Sequence, residues 1–220
     1  MSAKIIISYD GTANEEDAIA LGRLFGQAGA QLAIAYVSHG HDTPGDTQGL
    51  LDRGLQLLGT PGATGHVVNS PSTPEGLAAL ADSEGADVIV FCSDSHTAKG
   101  HVSIGNSAQR LLSGGRTAVA IAPVGLAERG AGIRNLVAVG DHDGGAAETA
   151  AALAQAVGGE ISPVVNEQTD LVVVDSRAEA EAGRVSLSAS AEHLVEVSSA
   201  AVLVVPRGTR LRFGAQQFVS

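Results

Sequence analysis

The sequence has no tryptophan, one cysteine, one methionine and only 3% aromatic residues. A single thiol, Cys92, excludes an internal disulfide. With so few rings, the core has to be built from Ala, Val, Leu and Ile. Hydrophobic residues make up 44% of the 220, enough for a packed interior. That composition suits buried parallel strands covered by Ala-rich helices. Positive charge is scarce too. Lys and Arg total 13 against 24 Asp and Glu, a net charge of −11. This argues against nucleic-acid and anionic-membrane partners, both of which need a basic footprint. No apolar run approaches the roughly 18–20 residues that span a bilayer. The first residues, MSAKIIISYD, place one Lys before a strand-like run and do not read as a signal peptide. A cytoplasmic protein of one large or two small domains is expected.

What is present is a repeat. ADVIVFCSDS (86–95) matches TDLVVVDSRA (169–178), and TAVAIAPVG (117–125) matches AAVLVVPRG (200–208). Asp87 to Pro123 spans 36 residues, and Asp170 to Pro206 spans the same 36. KIIISYDGT (4–12) and NLVAVGDHDGG (135–145) correspond in kind, each an apolar run ending in Asp-Gly before an Ala-rich stretch. In the first copy the pattern predicts strands over 4–9, 32–37, 65–69, 87–92 and 117–122. It predicts helices over about 14–28, 46–58, 73–84 and 106–113. That alternation implies a doubly wound parallel sheet. PVGLAERGAGIR (123–134) reads as the linker.

The second copy is shorter. Asp10 lies 77 residues before Asp87, whereas Asp143 lies only 27 before Asp170. About a helix, a strand and a second helix are missing. If 160–165 were a regular parallel strand, residues 166–169 would have to return along its full length. Four residues reach about 14 Å at most, and such a strand is about 17–20 Å long. We therefore expect 160–165 to be an extended connection or irregular edge, leaving a three-stranded core of 135–140, 171–175 and 201–205.

IIISYDGT, EGADVIVF, GHVSIGNSAQRLL and TAVAIAP resemble the universal stress protein family in tandem form, over nearly all of 1–123 and more weakly over 133–208. The resemblance implies an α/β sheet of strand order 3-2-1-4-5 in a domain over 1–125, a truncated copy over 133–208, and a C-terminal tail over 209–220. It also implies a role in stress tolerance rather than strong catalysis. Some members bind ATP or AMP, with Mg²⁺ bridging the phosphates of ATP, and others bind no nucleotide and act by partner recognition. Members dimerise through antiparallel fifth strands. In a tandem chain 117–123 and 200–206 can pair internally as a pseudo-dimer, and whole chains can form a homodimer. Losing strand 3, an edge strand, leaves the 1-4-5 pairing intact.

Nucleotide-binding members carry G-x2-G-x9-G-[ST] after strand 4. Glycine lets backbone approach phosphate, and the helix that follows presents free N–H groups. Here the three glycine positions fall on Cys92, Ser95 and Gly105, and the [ST] position on Asn106 with Ser107 next. Ser95 can still donate a hydroxyl proton, and Lys99 and His101 could supply charge. Asp94 opposes an anion if it points inward: at 4 Å two like charges cost about 1 kcal/mol in water and about 4 kcal/mol at an effective dielectric near 20. With the strand-1 residues Asp10, Gly11 and Thr12, and with Val37 where adenine would lie, the candidate nucleotide residues are Asp10, Gly11, Thr12, Val37, Cys92, Ser95, Gly105, Asn106 and Ser107. Two plainer readings compete: a small, polar strand-to-helix turn, and Asp10 as a turn cap. In the second copy the glycine positions are Asp175, Ala178 and Ser188, the [ST] position is Ala189, and Glu179 and Glu181 add negative charge. No phosphate binding is expected there.

Other signals are weak. GTPGATGH (59–66) has His where a phosphate-binding loop needs Lys, and there is no GxSxG. YDGTANEED departs from the SGGxDS loop of the related ATP pyrophosphatases. His39, His41 and Asp42 in HGHD, and Asp141, His142 and Asp143 in DHD, sit in expected loops where polar residues are ordinary, so no metal site is assigned. Asp141 also competes with Asp143 as the strand-1 match. Cys92 reads as a buried strand-end residue. RGTRLRFGAQQFVS is a flexible end or a strap over the neighbouring copy.

Overall fold

A computed structural model describes residues 2–12, 14–40, 43–130, 132–140 and 144–214. Among these residues nine strands form one sheet. They are β1 (Lys4–Ser8), β2 (Gln31–Ser38), β3 (Thr64–Asn69), β4 (Val88–Cys92), β5 (Ala118–Ala122), β6 (Asn135–Val139), β7 (Glu160–Ile161), β8 (Leu171–Asp175) and β9 (Ala201–Val205). Their order is β3-β2-β1-β4-β5-β9-β8-β6-β7. The first five strands follow the expected 3-2-1-4-5 order, all parallel. At the centre β5 meets β9 antiparallel, with Ala120 opposite Leu203. Beyond it β9, β8, β6 and β7 are again parallel.

The helices are α1 (Glu15–Gln27), α2 (Pro44–Leu58), α3 (Thr73–Glu84), α4 (Asn106–Leu112), α5 (Leu126–Arg129), α6 (Gly145–Val157) and α7 (Ala189–Val197). The five-residue strands are buried on both faces, because alternate residues feed opposite layers. Ile5 and Ile7 pack into one layer with Phe25 of α1 and Leu153 of α6. Ile6 points the other way, into a layer with Leu77 of α3, Leu111 of α4 and Val195 of α7. Both layers run unbroken past the β5–β9 seam, which lies in the middle of the core. Among the described residues no helix is long and apolar enough to cross a membrane.

Of the two expectations for residues 160–165 the irregular edge is the one found, and only the strand count needs a correction. Glu160 and Ile161 do form a strand, parallel to β6 in register with Asn135 and Leu136, so the second half has four strands rather than three. The strand ends after two residues. The chain therefore never climbs the sheet, and 162–170 remain for the return to β8. The length argument excludes a full strand to residue 165, and this short edge escapes it. The linker also holds unexpected structure. Helix α5 docks on α1 because the buried Asp17 carboxylate accepts the Gly125 and Ala127 N–H groups, both at 2.8 Å.

Of the two readings of the C-terminal segment, its described part, 207–214, is a strap. The Leu211 N–H donates to Thr149 Oγ1 of α6 at 3.1 Å, and Leu211 itself is buried. Phe213 stacks on Phe25 of α1 at 6.1 Å between ring centroids, and the Ala3 N–H donates to the Arg212 carbonyl. The segment thus ties an element of the second half to two of the first.

Candidate functional site

The carboxyl ends of β1 and β4 form the first-half site. After β1 the chain turns at Gly11, whose φ of +82° suits glycine. Asp10 Oδ1 accepts the Thr12 N–H at 3.0 Å, so this carboxylate serves its own turn. Glu15, in the first turn of α1, is 4% exposed and accepts the N–H groups of Asp10 and Gly11. Burial, together with a hydrogen bond and repulsion from Asp10, pushes the Glu15 carboxyl up to about 8. Burial, with the charges of Glu15 and Asp10, likewise pushes the Cys92 thiol up to about 12, so Cys92 is an inert thiol at neutral pH.

The loop after β4 is held in shape by Ser93. Its hydroxyl donates to the Ala122 carbonyl at 2.7 Å and accepts the Ser103 N–H at 3.1 Å. Asp94 is exposed, and its Oδ1 accepts the His96 N–H at 3.1 Å. Lys99 is ion-paired with Glu128 of α5 and does not line the cleft between the two loops. Between the two loops lies a cleft of about 270 Å³. Ser95, Asn106 and Ser107 line it and make no side-chain hydrogen bond among the described residues. A Cβ built on Gly105 would meet nothing within 4 Å, so the cleft is open at that point.

The second half repeats this loop 83 residues on. The Ser176 hydroxyl donates to the Val205 carbonyl at 2.8 Å and accepts the Ser186 N–H at 3.2 Å, as Ser93 does with Ala122 and Ser103. The Gly100 N–H to Val124 carbonyl bond reappears as Gly183 to Arg207. The Asp87 carboxylate accepts the Lys4 N–H, and the Asp170 carboxylate accepts those of Arg134 and Asn135. The second cleft is larger, about 630 Å³. Asp175 is tied to the start of α6 through the Ala146 N–H at 2.5 Å. Its side chain lies on Gly140, where an added Cβ would sit 2.4 Å from Asp175 Cβ and Oδ2.

Among solved structures, a universal stress protein from Archaeoglobus fulgidus DSM 4304 matches with a TM-score of 0.71 at 14% identity, over 94% of this chain and 100% of that one. The chain has the universal stress protein fold. A functionally unknown protein from Pseudomonas aeruginosa PAO1 matches at a TM-score of 0.67 and 13% identity, over 94% of this chain and 93% of that one. At such identities the likeness is one of fold alone. No family model and no curated protein matches the chain.

Within the universal-stress fold, Thr12, Cys92, Ser95, Gly105, Asn106 and Ser107 line the first cleft together. Asp10, Gly11 and Val37 do not line it, and Val37 is buried beside Leu77 and Val68. His39 bonds locally, its Nδ1 2.9 Å from the Ser70 carbonyl. His41, Asp42, Asp141, His142 and Asp143 lie outside the described residues. Among the described residues no group of three or more His, Cys, Asp or Glu could hold a metal ion. Sequence reasoning missed Glu15 and Asp17, whose partners come together only in the fold. It also missed Arg177 and Arg207, which line the second cleft. The 83-residue offset that puts Asp175 opposite Cys92 puts Arg177 opposite Asp94, so that signal was available.

Proposed function

We propose that this chain is a tandem universal-stress-type protein, cytoplasmic and non-enzymatic, that serves stress response as a regulatory module acting by partner recognition. Residues 1–125 are the complete copy and 133–208 the truncated one, paired as a pseudo-dimer through 117–123 and 200–206. The observation that carries this is the antiparallel β5–β9 joint flanked by two loops with the same hydrogen bonds. Each half also bonds across the joint to the other: the Val102 N–H donates to the Ser198 carbonyl, and the Val185 N–H to that of Gly115. One solved structure of this fold matches over its whole length with 94% of this chain, which spans both halves.

The geometry of the first cleft supports a module that works without nucleotide. At about 270 Å³ it lies at the lower edge of the range of roughly 300–1,000 Å³ usual for small-molecule sites. Asp94 lines it, Lys99 is taken by Glu128, and Val37 is packed away. A second reading, ATP or AMP in this cleft, with Mg²⁺ accompanying ATP, is favoured by one observation: Ser95, Asn106 and Ser107 present side chains with no partner among the described residues around the opening at Gly105. On that reading these three residues would hold phosphate oxygens, and a bound Mg²⁺ would supply positive charge. Calorimetric titration with Mg-ATP and with AMP separates the readings. The regulatory-module reading expects no binding at millimolar nucleotide. Binding that Gly105→Asp abolishes would replace it with the nucleotide reading.

A further inference from the structure

The geometry points to the second-half cleft as a binding site for a small organic anion, its phosphate or carboxylate group held by Arg177 and Arg207 and its body resting on Val139 and Leu194. This goes beyond the regulatory reading and does not depend on whether the first cleft takes nucleotide.

Volume is the first support. At about 630 Å³ the cleft lies well inside the range of roughly 300–1,000 Å³ for small-molecule sites. Apolar walls with a few polar groups are also their usual make-up. Charge is the second. The two loops share one backbone frame, and at the position where the first carries Asp94 the second carries Arg177. The Arg177 side chain is exposed, lines the cleft and has no hydrogen bond or ion pair among the described residues. Arg207 lines the same cleft, half-buried, and its Nη1 donates to the Ala180 carbonyl at 2.6 Å. That bond fixes one guanidinium in place, and a fixed planar fork is the arrangement that recognises a planar or tetrahedral oxyanion.

Among the described residues two carboxylates line the cleft as well, and they have different weights. Asp175 was expected to bar an anion here. In the structure its Oδ1 accepts the Ala146 N–H at the start of α6, and its side chain lies on Gly140. Its charge is therefore met by a helix amino terminus. Glu179 is exposed and opposes an anion, so its removal should help. The two-residue β7 leaves this half without the longer strand that flanks β1 in the first half, and the body of a ligand has room along the apolar wall.

The test is calorimetric titration of the full chain with inorganic phosphate, phenyl phosphate and benzoate. The expected result is millimolar or tighter binding of phenyl phosphate or benzoate, with inorganic phosphate weaker for lack of a body. Whichever aromatic probe binds tighter identifies the head group. Arg177→Ala, which breaks no structural bond, should weaken binding about tenfold. Glu179→Gln should strengthen it several-fold. Arg116→Ala, an equal loss of charge outside the cleft, should leave it unchanged. No binding of either aromatic probe up to about 10 mM, or equal affinity in wild type and Arg177→Ala, overturns the proposal. So does equal weakening by Arg177→Ala and Arg116→Ala, which would show only a general charge effect.

Discussion

Replacing Glu15 by Gln should remove much of this protein's loss of stability as pH rises toward about 8. Glu15 is buried, receives two backbone N–H groups and sits against Asp10, and its carboxyl is pushed from 4.5 to about 8. A raised acid pKa means that the folded state holds a proton the unfolded state has released. Stability from that proton is fully present below 4.5 and is lost as pH rises through about 8. Between pH 6 and 9 the loss comes to about 2–3 kcal/mol, since each pKa unit is worth about 1.4 kcal/mol. For a chain of this size about 2–4 °C of melting temperature goes with each kcal/mol, so Tm should fall by about 5–10 °C over that range. Gln keeps the oxygen that accepts the Asp10 and Gly11 N–H groups and cannot ionise. Thermal melts followed by circular dichroism at pH 6, 7, 8 and 9 should therefore slope downward for wild type and run nearly flat for Glu15→Gln. The general repulsion in a chain of charge −11 affects both proteins and cancels in the comparison. Parallel curves for the two would show that Glu15 is ionised throughout and that burial does not hold its proton.

The strap offers a second test. Leu211→Ala removes a buried side chain and should cost about 2–4 kcal/mol in urea unfolding, with Phe213→Ala lowering the midpoint further. Gly29→Ala should release 212–214 from α1 and expose them to limited proteolysis, because an added Cβ would sit 1.8 Å from the Gly214 carbonyl oxygen at a backbone φ of +84°. Asp17→Ala should cost about 2 kcal/mol and speed hydrogen exchange at Gly125 and Ala127, whose N–H groups lose their acceptor.

Much of the fold was legible because its signals are local. Apolar runs such as KIIIS and AVAIA, set between Ala-rich helices, place strands to within a residue or two. The equal 36-residue spacings place the central strands of both halves. What stayed hidden depends on contacts between distant residues. Nothing near Asp17 in sequence shows that it caps α5 more than a hundred positions away, or that Glu15 folds under the β1 turn and loses water there. For 160–170 the chain length told a full strand from an irregular edge, but not that Glu160 and Ile161 pair with β6, because Ile161, Val164 and Val165 are apolar yet exposed and leave no burial pattern to read. For the candidate site, the motif of the family it resembles, laid onto this sequence, names six residues that line the first cleft, but cleft volume is a property of the packed loops.

The two halves separate frame from chemistry. Ser93 and Ser176, the Gly100 and Gly183 N–H bonds, and the exchange between Val102–Ser198 and Val185–Gly115 keep both loops in one shape. None of these groups needs to face a ligand, so the side chains that do face the clefts can differ without cost to the frame. They do differ: Cys92 against Asp175, Asp94 against Arg177, Gly105 against Ser188. Asp175 in turn requires Gly140, because any Cβ there would collide with it, and it caps α6 in return. A glycine count therefore reads the second half as a lost site, since it scores the positions where backbone would approach phosphate. Guanidinium recognition needs no such approach. On the reading proposed above, a loop that carries arginine where its twin carries aspartate would offer a charged fork instead of backbone contact, a change of ligand chemistry on an unchanged scaffold.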